Sequence, residues 1–171
     1  MKKQNKSKKI PRIIILAALV LITFIFAATP GFPNHIGRAA FFYLIPLIIC
    51  IGVFESVAVS TWLGLFAGIL WDCISAEIPG FHAIMLMCFG CISSLIMSNY
   101  LRKKLVSALI VGGSGIILYV FFYWFFFLWL KGVPSASKVL FDVYLPSILI
   151  TAVTLPVFYF IAGFIHRKLR D

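Results

Sequence analysis

Acidic residues are scarce in this 171-residue chain: there are five, Glu55, Asp72, Glu77, Asp142 and Asp171. Histidines number three, His35, His82 and His166, and charged residues of both signs make up only 12% of the chain. These shortages exclude much. Acid–base, nucleophilic and metal-assisted chemistry needs carboxylates, imidazoles or thiols gathered at one place. Here every acid and every histidine falls at the end of an apolar run or between two runs. The chain contains no His-x-x-x-His and no Gly-x-Ser-x-Gly. It therefore reads as a non-enzyme with no catalytic, cofactor-binding or metal-binding residues. An ion-coupled transporter places an ionisable residue midway along a membrane helix, and none is expected here. No polar stretch is long enough for a soluble ATPase or kinase module.

What the chain has is apolar residues, 63% of the total. Soluble domains are nearer 45–50%, so an integral membrane protein is expected, and a spanning helix needs about 20 residues. The apolar runs predict an all-α, polytopic single domain over residues 1–171, with six transmembrane helices at about 10–28, 39–54, 57–71, 81–98, 105–130 and 143–165. Pro46 falls inside the second helix, where neighbouring helices satisfy the freed carbonyl. Glu55 and Ser56 mark a short polar break between the second and third. Residues 131–142 read as a loop. The fifth run, 26 residues long, exceeds a hydrocarbon core and is expected to tilt or emerge.

Positive charge flanks these runs. Five lysines lie in the first nine residues, and the apolar run that follows is interrupted only by Arg12. That run is longer than a signal-peptide core, and Thr29-Pro30-Gly31-Phe32-Pro33 is a weak cleavage site, so an uncleaved first helix is expected. With six helices and the N-terminus in the cytoplasm, twelve of the fifteen Lys and Arg lie on the cytoplasmic side, leaving Arg38, Lys131 and Lys138 outside. This positive-inside pattern places both termini in the cytoplasm. It also sets aside nucleic acid as a partner, because the charge follows the ends of the helices. Arg102-Lys103-Lys104 sets topology in the same way. Cys50, Cys88 and Cys91 fall inside apolar runs and read as small hydrophobic residues. Cys88-x-x-Cys91 has metal or redox spacing, but no second ligand pair accompanies it.

The stretch from Gly64 to Gly80 organises the chain. Gly64, Gly68 and Asp72 are four residues apart twice over, which puts them on one face of a helix. A glycine stripe admits a neighbouring backbone closely, and the carboxylate at its end needs a partner or water. Two roles stay open for Asp72: a polar contact that fixes a helix or a partner, or an ordinary helix-end carboxylate facing water. The partner across the glycine seam is either internal or another protein. Pro79-Gly80 reads as the turn that starts the fourth helix, with the proline near its first turn.

Gly64-x-x-x-Gly68-Ile-Leu-x-Asp72, then Ser75, then Pro79-Gly80-Phe81-His82-Ala83, resembles the signature of the bacterial rod shape-determining protein MreD family. Leu145-Pro146 at the start of the last helix, and Pro156 before a short basic end, are similar to that family too. One departure is Ile150-Thr151, where members often carry a Tyr-Asn pair. The resemblance implies a non-catalytic scaffold of the cell-elongation machinery in the bacterial cytoplasmic membrane. It implies association with an MreC-like bitopic membrane protein, and through it with an MreB-like cytoskeleton, a RodA-like glycosyltransferase and a transpeptidase. It also implies a fold similar to the substrate-binding subunits of energy-coupling-factor transporters. That similarity supplies the rival, a vitamin-binding subunit with an ATPase partner. Gly64, Gly68, Asp72, Pro79, Gly80 and Pro146 are the residues expected to carry helix packing or partner contact.

Overall fold

The computed structural model describes residues 6–29, 35–36, 39–40, 42–75, 79–101, 104–132 and 136–168. Glu77, Arg38, Arg102, Lys103, Asp171 and the first five residues, all weighed above, lie outside the described residues. Among the described residues the regular structure is helical, apart from a ladder of two residues per strand.

α1 (Lys6–Ala28) buries one stripe, Arg12, Leu16, Val20 and Thr23, while Ile10, Ile14, Leu21 and Ile25 are exposed. Farther along the chain β1 (His35–Ile36) and β2 (Ala39–Ala40) form an antiparallel ladder, with His35 opposite Ala40. The second helix was expected from residue 39. The ladder takes Ala39 and Ala40 instead, and α2 spans only Leu44–Phe54. Pro46 is thus the third helical residue, in the first turn, where the missing N–H has no intrahelical partner to lose.

α2 is the centre of the molecule. Every residue from Leu44 to Val53 is buried. A helix covered on all sides can be apolar all round, and this one is: Leu-Ile-Pro-Leu-Ile-Ile-Cys-Ile-Gly-Val. At 1.5 Å per residue it is about 16 Å long, half the thickness of a hydrocarbon core of about 30 Å. Glu55, extended at φ −97° and ψ 167°, ends it. α3 (Val57–Asp72) then runs back beside it, and at 16 residues it reaches about 24 Å.

α4 (Phe81–Asn99) is antiparallel to α3 and packs against α2 as well. α5 (Leu105–Trp124) continues without a break through a π-helical turn, Phe125–Trp129. The chain reverses through Gly132, whose φ is +64°. Helix then resumes at α6 (Ala136–Val139), passes through a second π-helical turn, Leu140–Tyr144, and continues as α7 (Leu145–Lys168). Residues 136–142 are therefore helical, contrary to the loop expected there. Pro146 is the second residue of α7. It gives no N–H to the turn before it, and that turn is the wide one, in which the N–H of Leu145 bonds to the carbonyl of Leu140. Widened turns and prolines are the usual interruptions of a long helix.

Among the described residues, four helices are long and apolar enough to cross a membrane, Ile10–Ala28, Phe81–Asn99, Leu105–Trp129 and Ser137–Lys168, and α2 and α3 are shorter apolar helices. The protein is thus a membrane-embedded helical bundle in which a short hairpin, α2–α3, sits among longer helices. The long helices and the two arms of the hairpin alternate in direction along the chain. At one end, here called basal, α1 begins, the α2–α3 turn lies and α7 finishes, joined by Arg12, Glu55 and His166. At the other, apical, Phe42, Trp71, His82, Tyr119 and Tyr123 gather.

Candidate functional site

The glycine stripe meets α4 backbone to backbone. A Cβ on Gly64 would run into the carbonyl of Leu86, and one on Gly68 into the Cα of Ala83 and the carbonyl of His82. The seam extends further than the two glycines. Gly90 on α4 receives the carbonyl of Ser60, one turn before Gly64, in the same way. Ser60 is fully buried, and its hydroxyl donates to the carbonyls of Ser56 and Val57, so no polar atom of its side chain is left bare in the seam. The partner across Gly64 and Gly68 is internal. The dispersion lost by separating such surfaces is small per atom pair and large in sum.

Asp72 closes the apical end of the seam. Its side chain is 10% exposed. Oδ2 accepts the backbone N–H of Gly80 at 3.1 Å and of Ala83 at 3.0 Å, and Oδ1 accepts the N–H of His82 at 3.1 Å. These are donors of the first turn of α4, which has no intrahelical acceptor for them. The usual N-cap side chain cannot supply one, because the cap position is Gly80, at φ +90°. Glycine is needed there for the backbone, since other residues are strained at positive φ. A carboxylate from the preceding helix does the work instead, and its charge also suits the positive end of the α4 dipole. Pro79 is exposed and lies in the turn directly before the cap residue Gly80, from which α4 starts.

The same carboxylate holds a side chain. Nδ1 of His82 lies 2.8 Å from Asp72 Oδ1 and 3.3 Å from the hydroxyl of Ser75. An ionised carboxylate only accepts, so Nδ1 carries the proton. The imidazole is stacked on Trp71, with ring centroids 5.0 Å apart, and lies beside Tyr119 and Tyr123. Asp72, Ser75 and His82 are thus brought together.

A second polar cluster lies at the basal end, and the sequence did not point to it. Glu55 is almost wholly buried, its side chain 2% exposed. Arg12 donates from Nη2 to Glu55 Oε2 at 2.8 Å, and Nδ1 of His166 lies 3.2 Å from Oε1. The hydroxyl of Ser94 donates to the Glu55 backbone carbonyl at 2.9 Å. Four helical segments, α1, the α2–α3 turn, α4 and α7, meet at this one residue. Glu55 stands at a helix end, as the sequence reading has it, but it is not left to water: it and Arg12 are enclosed together by the helices. The signal available was an arginine inside the first apolar run and a glutamate in the only break between the second and third. Charges in such places are rare and pair with one another.

The other residues singled out are placed as follows. Cys50 is buried in α2 against the carbonyl of Leu155, and Cys88 and Cys91 are free thiols on α4. Among the described residues no three His, Cys, Asp or Glu gather as a metal site. Thr151, at the departure from the family pattern, is fully buried and accepts the backbone N–H of Phe42 at 3.3 Å, just before α2 begins. Pro146 lies on α7, which packs chiefly against α2 and α5. Compared with known proteins, the chain matches no family, no curated protein and no solved structure.

Proposed function

We propose that this protein is a non-catalytic membrane scaffold of the MreD type, acting in the cell-elongation machinery of a bacterial cytoplasmic membrane. The observation that carries the proposal is the capped seam. The residues resembling the MreD signature, Gly64, Gly68, Asp72, Gly80 and His82, make one continuous structural unit in which two helices touch through their backbones and one carboxylate locks the end. Such a unit makes a rigid body, and rigidity is what a scaffold needs in order to hold partners in register.

On this proposal all six helices are embedded, the short α2–α3 hairpin being sheltered by the longer ones. The basal end faces the cytoplasm, because the cations collect there. The partners are an MreC-like bitopic protein and, through it, an MreB-like cytoskeleton, a RodA-like glycosyltransferase and a transpeptidase.

The test is a mild-detergent pull-down of the tagged full chain from its native membranes, with mass spectrometry of the captured proteins. A bitopic coiled-coil protein with wall synthases is the expected result. An ABC-type ATPase pair, or a vitamin in the eluate, would overturn it in favour of an energy-coupling-factor substrate-binding subunit.

A further inference from the structure

We propose that the basal end of the bundle is a seat for anionic phospholipid headgroups. Lys168 places its ammonium 5.7 Å over the ring of Phe164, a residue 61% exposed on the outer face of α7. Arg167 beside it is exposed and anchored, its Nε donating to the carbonyl of Gly163 at 3.3 Å. Lys104 is exposed at the start of α5, two residues before Val106, which is 65% exposed. On α1 the exposed Ile10 follows directly on Lys8 and Lys9. On three helices, then, a basic position adjoins an outward-facing apolar residue within a turn. That juxtaposition marks the boundary between hydrocarbon and headgroups.

Among the described residues, no acid at this end is placed to neutralise these cations. Glu55 is buried and already accepts from both Arg12 and His166. The other acid adjacent in sequence is Asp171, against three cations between 167 and 170 alone. Juxtamembrane clusters of this kind draw anionic lipid. An acidic soluble protein would be met by cations standing clear of the apolar surface, whereas Lys168 lies against Phe164 and Lys104 stands two positions from the exposed Val106.

The proposal is tested with the full chain purified in a neutral detergent, mixed with phosphatidylglycerol or phosphatidylcholine, and the retained lipids counted by native mass spectrometry. Phosphatidylglycerol is expected to be retained in clear preference at low salt, and the preference is expected to collapse near 0.5 M salt, where the screening length is only about 4 Å. Lys104→Gln with Lys168→Gln is expected to weaken phosphatidylglycerol about fivefold per cation removed, with the melting temperature in phosphatidylcholine unchanged. Lys104→Arg with Lys168→Arg is expected to keep the preference. Equal retention of the two lipids, or a preference that survives the glutamine pair, would overturn the proposal. Loss of preference in the arginine pair, or displacement of the lipid by soluble polyglutamate at equal charge, would overturn it too. None of these outcomes depends on whether the protein is a wall-synthesis scaffold.

Discussion

Asp72 and His82 are joined twice: the Asp72 carboxylate accepts both the backbone N–H of His82, at 3.1 Å, and its ring Nδ1, at 2.8 Å. One contact caps a helix and the other orients an imidazole, so a single side chain on α3 fixes both the start of α4 and the side chain it presents. Replacing Asp72 with alanine strips the cap from three backbone donors. A lost cap costs about 1–2 kcal/mol, and the buried imidazole loses its partner as well. Asp72→Ala is expected to lower the melting temperature in detergent and the level in membranes together. A variant that melts like the parent but fails to capture partners would show that Asp72 acts at an interface and not as a cap.

Leucine at Gly64 or Gly68 must push α4 away, because the first atom of any side chain there meets backbone. Overpacking of this kind costs about 1–3 kcal/mol or more. Gly113 is the internal control, since a Cβ there meets nothing within 4 Å. Gly113→Ala is expected to be neutral or to stabilise α5 by up to about 1 kcal/mol through helix propensity. Thermal melts of Gly64→Leu, Gly68→Leu and Gly113→Ala decide it: equal loss in all three would refute the seam.

At the basal end, Arg12→Ala leaves the Glu55 carboxylate buried without its cation. Breaking one side of a buried ion pair costs about 3–5 kcal/mol, whereas replacing both sides with apolar or neutral groups is often far milder. The double variant Arg12→Met with Glu55→Gln is therefore expected to be more stable than Arg12→Ala alone. A double-mutant cycle measured by melting checks this, and additive losses would show that the two side chains do not act as a pair.

Gly80 holds φ at +90°, and a Cβ added there would meet nothing within 4 Å. Gly80→Ala is therefore a test of backbone strain without a clash, and about 1 kcal/mol of destabilisation is expected. Proteolysis between α3 and α4 should quicken in the variant. Unchanged stability and cleavage would mean that the turn relaxes freely.

How much of this was visible beforehand differs from residue to residue. Gly64, Gly68 and Asp72 were legible as one face because helical periodicity is local, though their continuation through Ser60 to Gly90 was not, for Gly90 belongs to another helix. The Asp72 contacts bridge only eight to eleven residues, across a turn signalled by Pro79-Gly80. Glu55 was seen as a break in a run and nothing more. Its partners lie 43 and 111 residues away, and no local pattern announces them.

The sequence by itself determined that the chain is a membrane-embedded helical protein, and it set the apolar runs and the glycine face, because hydropathy and the 3.6-residue period are properties of neighbours along the chain. Only the tertiary structure decided that α2 starts at Leu44 and is buried on every side, that the last helix begins at Ala136, and that Arg12, Glu55 and His166 form one cluster. A helix's covering, and a buried charge's partner, come from segments distant in sequence. They exist only once the bundle has closed around them.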